Sequence, residues 1–112
     1  MKYALVTGGS RGIGRAVSIK LAEMGFCVVI NYASNHEEAM KTLEEIQSIG
    51  GNAELLPFDV SDTKQCAAVL DLWQEQHPNE YIEVLVNNAG IRRDNLMVFV
   101  EPEDWFSVLN TN

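Results

Sequence analysis

Thr7-Gly8-Gly9-Ser10-Arg11-Gly12-Ile13-Gly14 is the stretch on which the reading of this chain turns. Immediately before it, residues 3–6 (YALV) form a short apolar run, the pattern of a strand buried in a parallel sheet. Immediately after it, Ile13, Val17, Leu21 and Met24 recur at helical spacing and predict a helix over 14–24 with those side chains on its inner face. A glycine-rich turn between a buried strand and an amphipathic helix is a cradle for an anion, because the helix N-terminus offers amides with no internal partner. The glycines stand at 8, 12 and 14, so the spacing is not the literal GxGxxG, but the division of labour is the same. Gly8 permits the turn, Gly12 lets backbone approach a pyrophosphate, and Gly14 lets helix and strand pack closely.

Working outward, Gly25 sits where a left-handed residue would close the first helix, and residues 26–30 (FCVVI) read as a second buried strand. Ser34-Asn35-His36-Glu37 has the form of a capping box, with Ser34 as cap and Ala39, Leu43 and Ile46 as the inner face of the helix it opens. Gly50-Gly51 ends that helix, and residues 53–58 give a third strand. Asp62, with Gln65 three residues on, caps a third helix whose inner face is Cys66, Val69, Leu70 and Trp73, and Pro78 stops it. Residues 81–86 form a fourth strand, 87–100 read as irregular, and Pro102 opens a fourth helix where its missing amide costs nothing. This alternation predicts the α/β class: a Rossmann-type, doubly wound parallel sheet with right-handed crossovers. The expected sheet is incomplete, with four strands in the order 3-2-1-4, the outer edge of the fourth unpaired, and the chain ending at Asn112 within the fourth helix.

With 112 residues, 46% of them hydrophobic, the chain is expected to form one domain with a real core, and to be short for a complete nucleotide-dependent enzyme. Sixteen acidic against eight basic residues leave a net charge of −8, which disfavours nucleic acid and membrane surfaces as partners. The four arginines, Arg11, Arg15, Arg92 and Arg93, fall in or beside two segments expected to line one ligand site, a positive edge on an acidic body. Cys27 and Cys66 lie in apolar stretches without metal-ligand spacing and read as buried thiols in a reducing compartment; no metal site is expected, and His36 and His77 read as surface residues. The N-terminus lacks a signal-peptide core or a membrane span, so a cytoplasmic location is expected.

TGxxxGxG at 7–14 resembles the cofactor motif of the short-chain dehydrogenase/reductases, and Asn87-Asn88-Ala89-Gly90 after the fourth strand matches that family's NNAG signature in register. The resemblance extends through the last residue, and it implies a nicotinamide dinucleotide bound by Gly8, Ser10, Arg11, Gly12, Ile13, Gly14, Asn87, Ala89 and Gly90. An enzyme of this type that uses NAD carries an Asp or Glu at the end of the second strand to hold the ribose hydroxyls. Here Ile30-Asn31-Tyr32-Ala33-Ser34 carries none. With Asn31 and Ser34 at the strand end, and Arg11 placed to receive a 2′-phosphate, NADPH (NADP+) is the expected cofactor. Asp59-Val60 resembles the family pair that meets the adenine, although on spacing alone Asp59 could equally cap the helix that follows.

The resemblance also implies a catalytic role for Asn112, which matches the residue that holds a relay water behind the family's catalytic Lys. The family's Tyr-x-x-x-Lys pair and catalytic Ser have no match here, since Tyr3, Tyr32 and Tyr81 are followed at that spacing by Thr7, His36 and Leu85. The expectation is therefore that residues 1–112 are the N-terminal NADP-binding part of a single Rossmann domain, with the catalytic half absent, so that the chain alone binds nucleotide without reducing a ketone. Within the family, Ile91-Arg92-Arg93-Asp94-Asn95-Leu96 is similar to the segment found in ketoacyl-carrier-protein reductases of fatty-acid synthesis. Arg93 either lies near an acyl mouth or pairs with Asp94 in a solvated loop. The expected full-length activity is NADPH-dependent reduction of a 3-oxoacyl thioester on acyl carrier protein, in a homo-oligomer, a tetramer by resemblance. The alternatives are reduction of acetoacetyl-CoA or another ketone, and a non-catalytic nucleotide-binding fragment.

Overall fold

The computed structural model describes residues 1–10, 12–88 and 97–99. The elements run β1 (Tyr3–Thr7), α1 (Gly12–Glu23), β2 (Cys27–Tyr32), α2 (His36–Ser48), β3 (Asn52–Pro57), α3 (Thr63–Gln76), β4 (Ile82–Asn87) and β5 (Met97–Phe99). They form one sheet in the order β3-β2-β1-β4-β5. The first four strands are parallel neighbours, as the alternating pattern predicts.

Two expectations about the far edge change. Residues 97–99, within a stretch that reads as irregular, pair with β4 antiparallel, Asn87 opposite Met97 and Leu85 opposite Phe99, so the outer edge of the fourth strand is paired over Leu85–Asn87. The fourth helix lies outside the described residues.

Strand side chains alternate between two cores, which is why β1 and β2 read as unbroken apolar runs. Tyr3, Leu5, Cys27 and Val29 face one way, with Phe58 and the inner face of α3, Cys66, Leu70 and Trp73. Ala4, Val6, Val28 and Ile30 face the other, with Leu21 and Ala22 of α1 and Ile46 of α2. β4 would break this alternation were it regular, because Ile82 and Val84 would then share a face. A register shift opposite Tyr3 and Ala4 inserts Glu83 as an extra residue, so Ile82 joins the first core and Val84 the second. Leu5, Ile30, Ile46 and Leu85 are fully enclosed, each worth roughly 1.5–3 kcal/mol of transfer free energy.

α2 and α3 bury the faces predicted for them, whereas α1 departs from its predicted face in part. α1 buries Gly14, Ser18, Leu21 and Ala22, while Ile13 and Met24 are 44% and 63% exposed. The helix packs through its small residues, which bring its backbone close to the sheet, and the Ser18 hydroxyl is satisfied by donating to Gly14 O at 2.8 Å. Gly25 closes α1 as expected, at φ +98°, with Phe26 N donating to Leu21 O at 3.1 Å. The cap of α2 is Asn35 rather than Ser34: its side-chain oxygen accepts from Glu38 N at 3.3 Å. Asp62 caps α3 by accepting from Gln65 N at 3.0 Å. His77 is not a plain surface residue, since its ring stacks on Trp73 with centroids 4.0 Å apart.

Candidate nucleotide-binding site

The glycine loop lies at the C-terminal ends of the parallel strands, between β1 and α1, and three neighbours hold it. Gly8 and Gly12 take the left-handed conformation, at φ +64° and +61°, which reverses the chain twice within five residues. From β2, Asn31 accepts from Gly8 N through its side chain at 3.4 Å and from Gly9 N through its carbonyl at 2.9 Å. Just past β4, Asn88 donates its side-chain amide to Gly8 O at 3.1 Å, and its backbone N–H to Thr7 Oγ1 at 2.9 Å. Thr7 in turn donates to Asn87 Oδ1 at 3.0 Å, tying the ends of β1 and β4 together where they pair in register. The paired asparagines thus lock the loop from one side and Asn31 from the other.

With the amides of Gly8 and Gly9 taken, donors offered to a ligand include those of the first turn of α1, Gly12, Ile13 and Gly14, which have no intrahelical carbonyl and no partner among the described residues. Ser10 is 8% exposed, and its hydroxyl makes no hydrogen bond with the described residues. A buried hydroxyl beside free helix amides is the donor set that a phosphate satisfies. Exposed Ile13 then lies next to that turn, available to a ligand rather than to the core.

Asn31 itself is enclosed, and its amide also donates to Leu56 O at 3.2 Å and Phe58 O at 3.0 Å, so its side chain fastens β2 to β3 and the loop instead of reaching outward. Ser34 is exposed beyond the strand end. Asp59 follows β3, exposed, and accepts from Ser61 N at 2.9 Å and Ser61 Oγ at 2.7 Å; these bonds hold its carboxyl below the usual range. The cap of α3 is Asp62, so Asp59 is not needed for capping. Val60 packs partly against the core on the α3 side. Arg11, Ala89, Gly90 and Asn112 lie outside the described residues, as do Arg92 and Arg93.

The sequence profile described as short chain dehydrogenase matches residues 2–112. The chain belongs to this family. Among curated relatives of this short-chain dehydrogenase, the 3-oxoacyl-[acyl-carrier-protein] reductase FabG of Staphylococcus aureus (strain Mu50) is 41% identical over 111 residues, 99% of this chain and 44% of that protein. FabG of Pseudomonas aeruginosa is 44% identical over the same span, again 44% of its length. The chain thus spans less than half the length of these relatives. Of solved structures, a dehydrogenase/reductase from Sinorhizobium meliloti aligns with TM-score 0.72 and 37% identity over 80% of this chain and 35% of that one. A Serratia marcescens short-chain dehydrogenase/reductase aligns with TM-score 0.71 and 32% identity over 82% and 37%. The family is one of oxidoreductases.

Arg15, Thr7 and Asn88 carry parts of this short-chain dehydrogenase site that the motif reading does not assign. Arg15 does not contribute a free positive edge: it is ion-paired with Glu38 at 2.5 Å. The Thr7 and Asn88 contacts follow once β1 and β4 are parallel neighbours. Nothing in sequence signals a pair 23 residues apart across a crossover.

Proposed function

We propose that this protein is an NADPH-dependent reductase of 3-oxoacyl thioesters carried on acyl carrier protein, acting in fatty-acid synthesis in the cytoplasm, and that residues 1–112 form its N-terminal cofactor-binding part. The observation that carries the reading is the loop: a buried Ser10 hydroxyl and the open first-turn amides of α1, beside a β2 end with no carboxylate. In this reading Gly12, Ile13 and Gly14 bind the pyrophosphate through backbone amides, and Ser10, Arg11 and Ser34 receive the 2′-phosphate. A carboxylate at the end of β2 would repel that phosphate, and Tyr32-Ala33-Ser34 supplies none. Asp59 and Val60 meet the adenine, while Asn31 and Asn87 act from within, by holding the loop. Bound NADPH would supply the hydride. In the resembled family the Tyr of the Tyr-x-x-x-Lys pair protonates the oxygen, and in a polypeptide of the relatives' length Asn112 would join the Lys in relaying the proton. A homotetramer follows from the same resemblance.

Similarity to FabG at 41% and 44% identity supports the substrate class, and the Arg93-Asp94-Asn95 triplet agrees with it. The test uses protein expressed from its native reading frame, titrated with NADPH and NADH and assayed for NADPH oxidation with acetoacetyl-acyl carrier protein and acetoacetyl-CoA. NADPH is expected to bind at least about tenfold more tightly, a difference of ~1.4 kcal/mol, and the carrier-protein thioester to be the better substrate. Equal affinity for NADH overturns the cofactor assignment. Binding without turnover of either thioester instead favours a nucleotide-binding module.

A further inference from the structure

Arg15 and Thr42 converge on one carbonyl. From the first turn of α1, Arg15 reaches across to α2, donating through Nε to Thr42 Oγ1 at 2.9 Å. Its Nη2 group lies 2.7 Å from Ser10 O, 3.1 Å from Glu38 O and 2.5 Å from Glu38 Oε2, so two hydrogens serve three acceptors. Thr42, fully buried, has its hydroxyl 2.8 Å from Ser10 O and 3.3 Å from Glu38 O, and donates to the nearer. Arg15 is the first cause holding the Glu38 carboxyl below the usual range, with Lys41 the second. The Ser10 carbonyl is therefore held by two donors, one from each helix.

Nε and Nη2 of this guanidinium are committed to these partners, and only Nη1 has none among the described residues. Arg15 joins Ser10 in the glycine loop to Glu38 in the first turn of α2, four residues after Ser34. We propose that Arg15, Glu38 and Thr42 are positioning residues that set cofactor preference, by fixing the glycine loop against the start of α2 so that a 2′-phosphate meets both at once. This rests on the NADPH reading above. The physical argument is one of shared and unshared contacts. NADPH and NADH place the same pyrophosphate on the amides of α1, but only the 2′-phosphate spans from the loop to the start of α2. Loosening the joint between the two segments penalises the ligand that bridges them, because the bridging geometry must then be ordered at binding.

The test compares NADPH and NADH dissociation constants for the native-frame protein and for Thr42→Val, Thr42→Ser and Glu38→Gln. Thr42→Val keeps the shape of the side chain and removes the donor to Ser10 O; Glu38→Gln keeps the length and removes the charge facing Arg15. In both, NADPH affinity is expected to fall about tenfold and NADH affinity less than about twofold, on the scale of one lost charge-assisted or buried hydrogen bond. Thr42→Ser restores the donor and the preference. Equal weakening of both dinucleotides, or an unchanged ratio, assigns the latch to fold maintenance alone and overturns the proposal. Should Thr42→Val fail to fold, Glu38→Gln decides, since that side chain stands partly in solvent. A wild-type protein without NADPH preference sinks the cofactor reading, and this proposal with it. Preference in the wild type retained in every variant sinks this proposal only.

Discussion

Gly14 lies so close to the carbonyl of Gly8 that no side chain fits between them. A Cβ on Gly14 would sit inside the envelope of the Gly8 oxygen and 2.8 Å from Asn88 Nδ2, the group that donates to that same oxygen. The obstacle is backbone, which cannot rotate away. Gly14→Ala is expected to cost about 1–3 kcal/mol of stability, in the range of overpacking, and to weaken dinucleotide binding at least about tenfold, because the loop must shift. Denaturant unfolding and nucleotide titration read the two effects. A variant matching wild type in both would show that the loop has slack the structure does not contain.

Asn31 makes a sharper test of how the loop is built. Its amide nitrogen donates to two carbonyls, of Leu56 and Phe58, in an enclosed position. Asn31→Asp keeps the shape but turns both contacts into oxygen facing oxygen. A buried carboxylate that faces two carbonyls, with the Gly8 amide at 3.4 Å as its one donor among the described residues, costs roughly 3 kcal/mol or more, so the urea midpoint should fall substantially, and fall further as pH rises and the carboxyl ionises. A pH-independent midpoint close to wild type would mean that Asn31 does not clamp β2 to β3.

β1 and β2 were readable because each is an apolar run buried on both faces, the partly exposed edge strand β3 because it follows the Gly50-Gly51 helix stop, and the glycine turn because its residues have few other uses. The inner face of α1 was half readable from hydrophobic periodicity: Val17 and Leu21 pack on the core as predicted, but Gly14 and Ser18 are buried beside them while Ile13 and Met24 face outward. Small residues on a packing face are invisible to a pattern that looks for large ones. β5 lies in a five-residue apolar run, residues 96–100 (LMVFV), and a run that short does not distinguish a strand from other buried backbone by periodicity. Within the candidate site, the phosphate-facing glycines were legible, but the clamps of Asn31 and Arg15 depend on which strands and helices become neighbours.

Two buried acids predict an alkaline limit to stability. Burial, then the charge of Glu80, pushes the Tyr3 hydroxyl from its ordinary 10.0 up to about 12. Burial, then the charge of Glu54, pushes the Cys27 thiol from 9.0 up to about 11. Each folded value lies above the unfolded one, so the unfolded chain loses these protons first. The contribution of each group is whole below its unfolded value and drains away as pH rises through the folded one. Stability should hold near pH 8 and fall progressively from about pH 9 to about pH 12. Urea midpoints across that interval test it, with Tyr3→Phe and Cys27→Ala each expected to flatten part of the slope. An equally steep decline in the double variant would assign the loss to other groups.

The start of α2 offers two adjacent candidate caps, and the structure chooses between them. Ser34 and Asn35 are both good capping residues, and Ser34 has an acidic residue, Glu37, three positions on. In the fold, Asn35 Oδ1 accepts from Glu38 N at 3.3 Å, and the Glu38 carboxylate is drawn to Arg15 instead of back to the cap. Ser34 contributes its backbone carbonyl, which accepts from His36 N at 3.0 Å and survives any side-chain replacement. Asn35→Ala should therefore cost about 1 kcal/mol, and Ser34→Ala less than about 0.5 kcal/mol. Under the NADPH reading the two variants separate in the opposite sense on ligand binding. Ser34→Ala removes a hydroxyl placed for the 2′-phosphate and should weaken NADPH about tenfold with NADH unchanged, on the scale of a hydrogen bond to a charged group. Paired unfolding and titration curves for the two variants settle both points. If Ser34→Ala were the more destabilising substitution, the cap would stand one residue earlier than the structure places it.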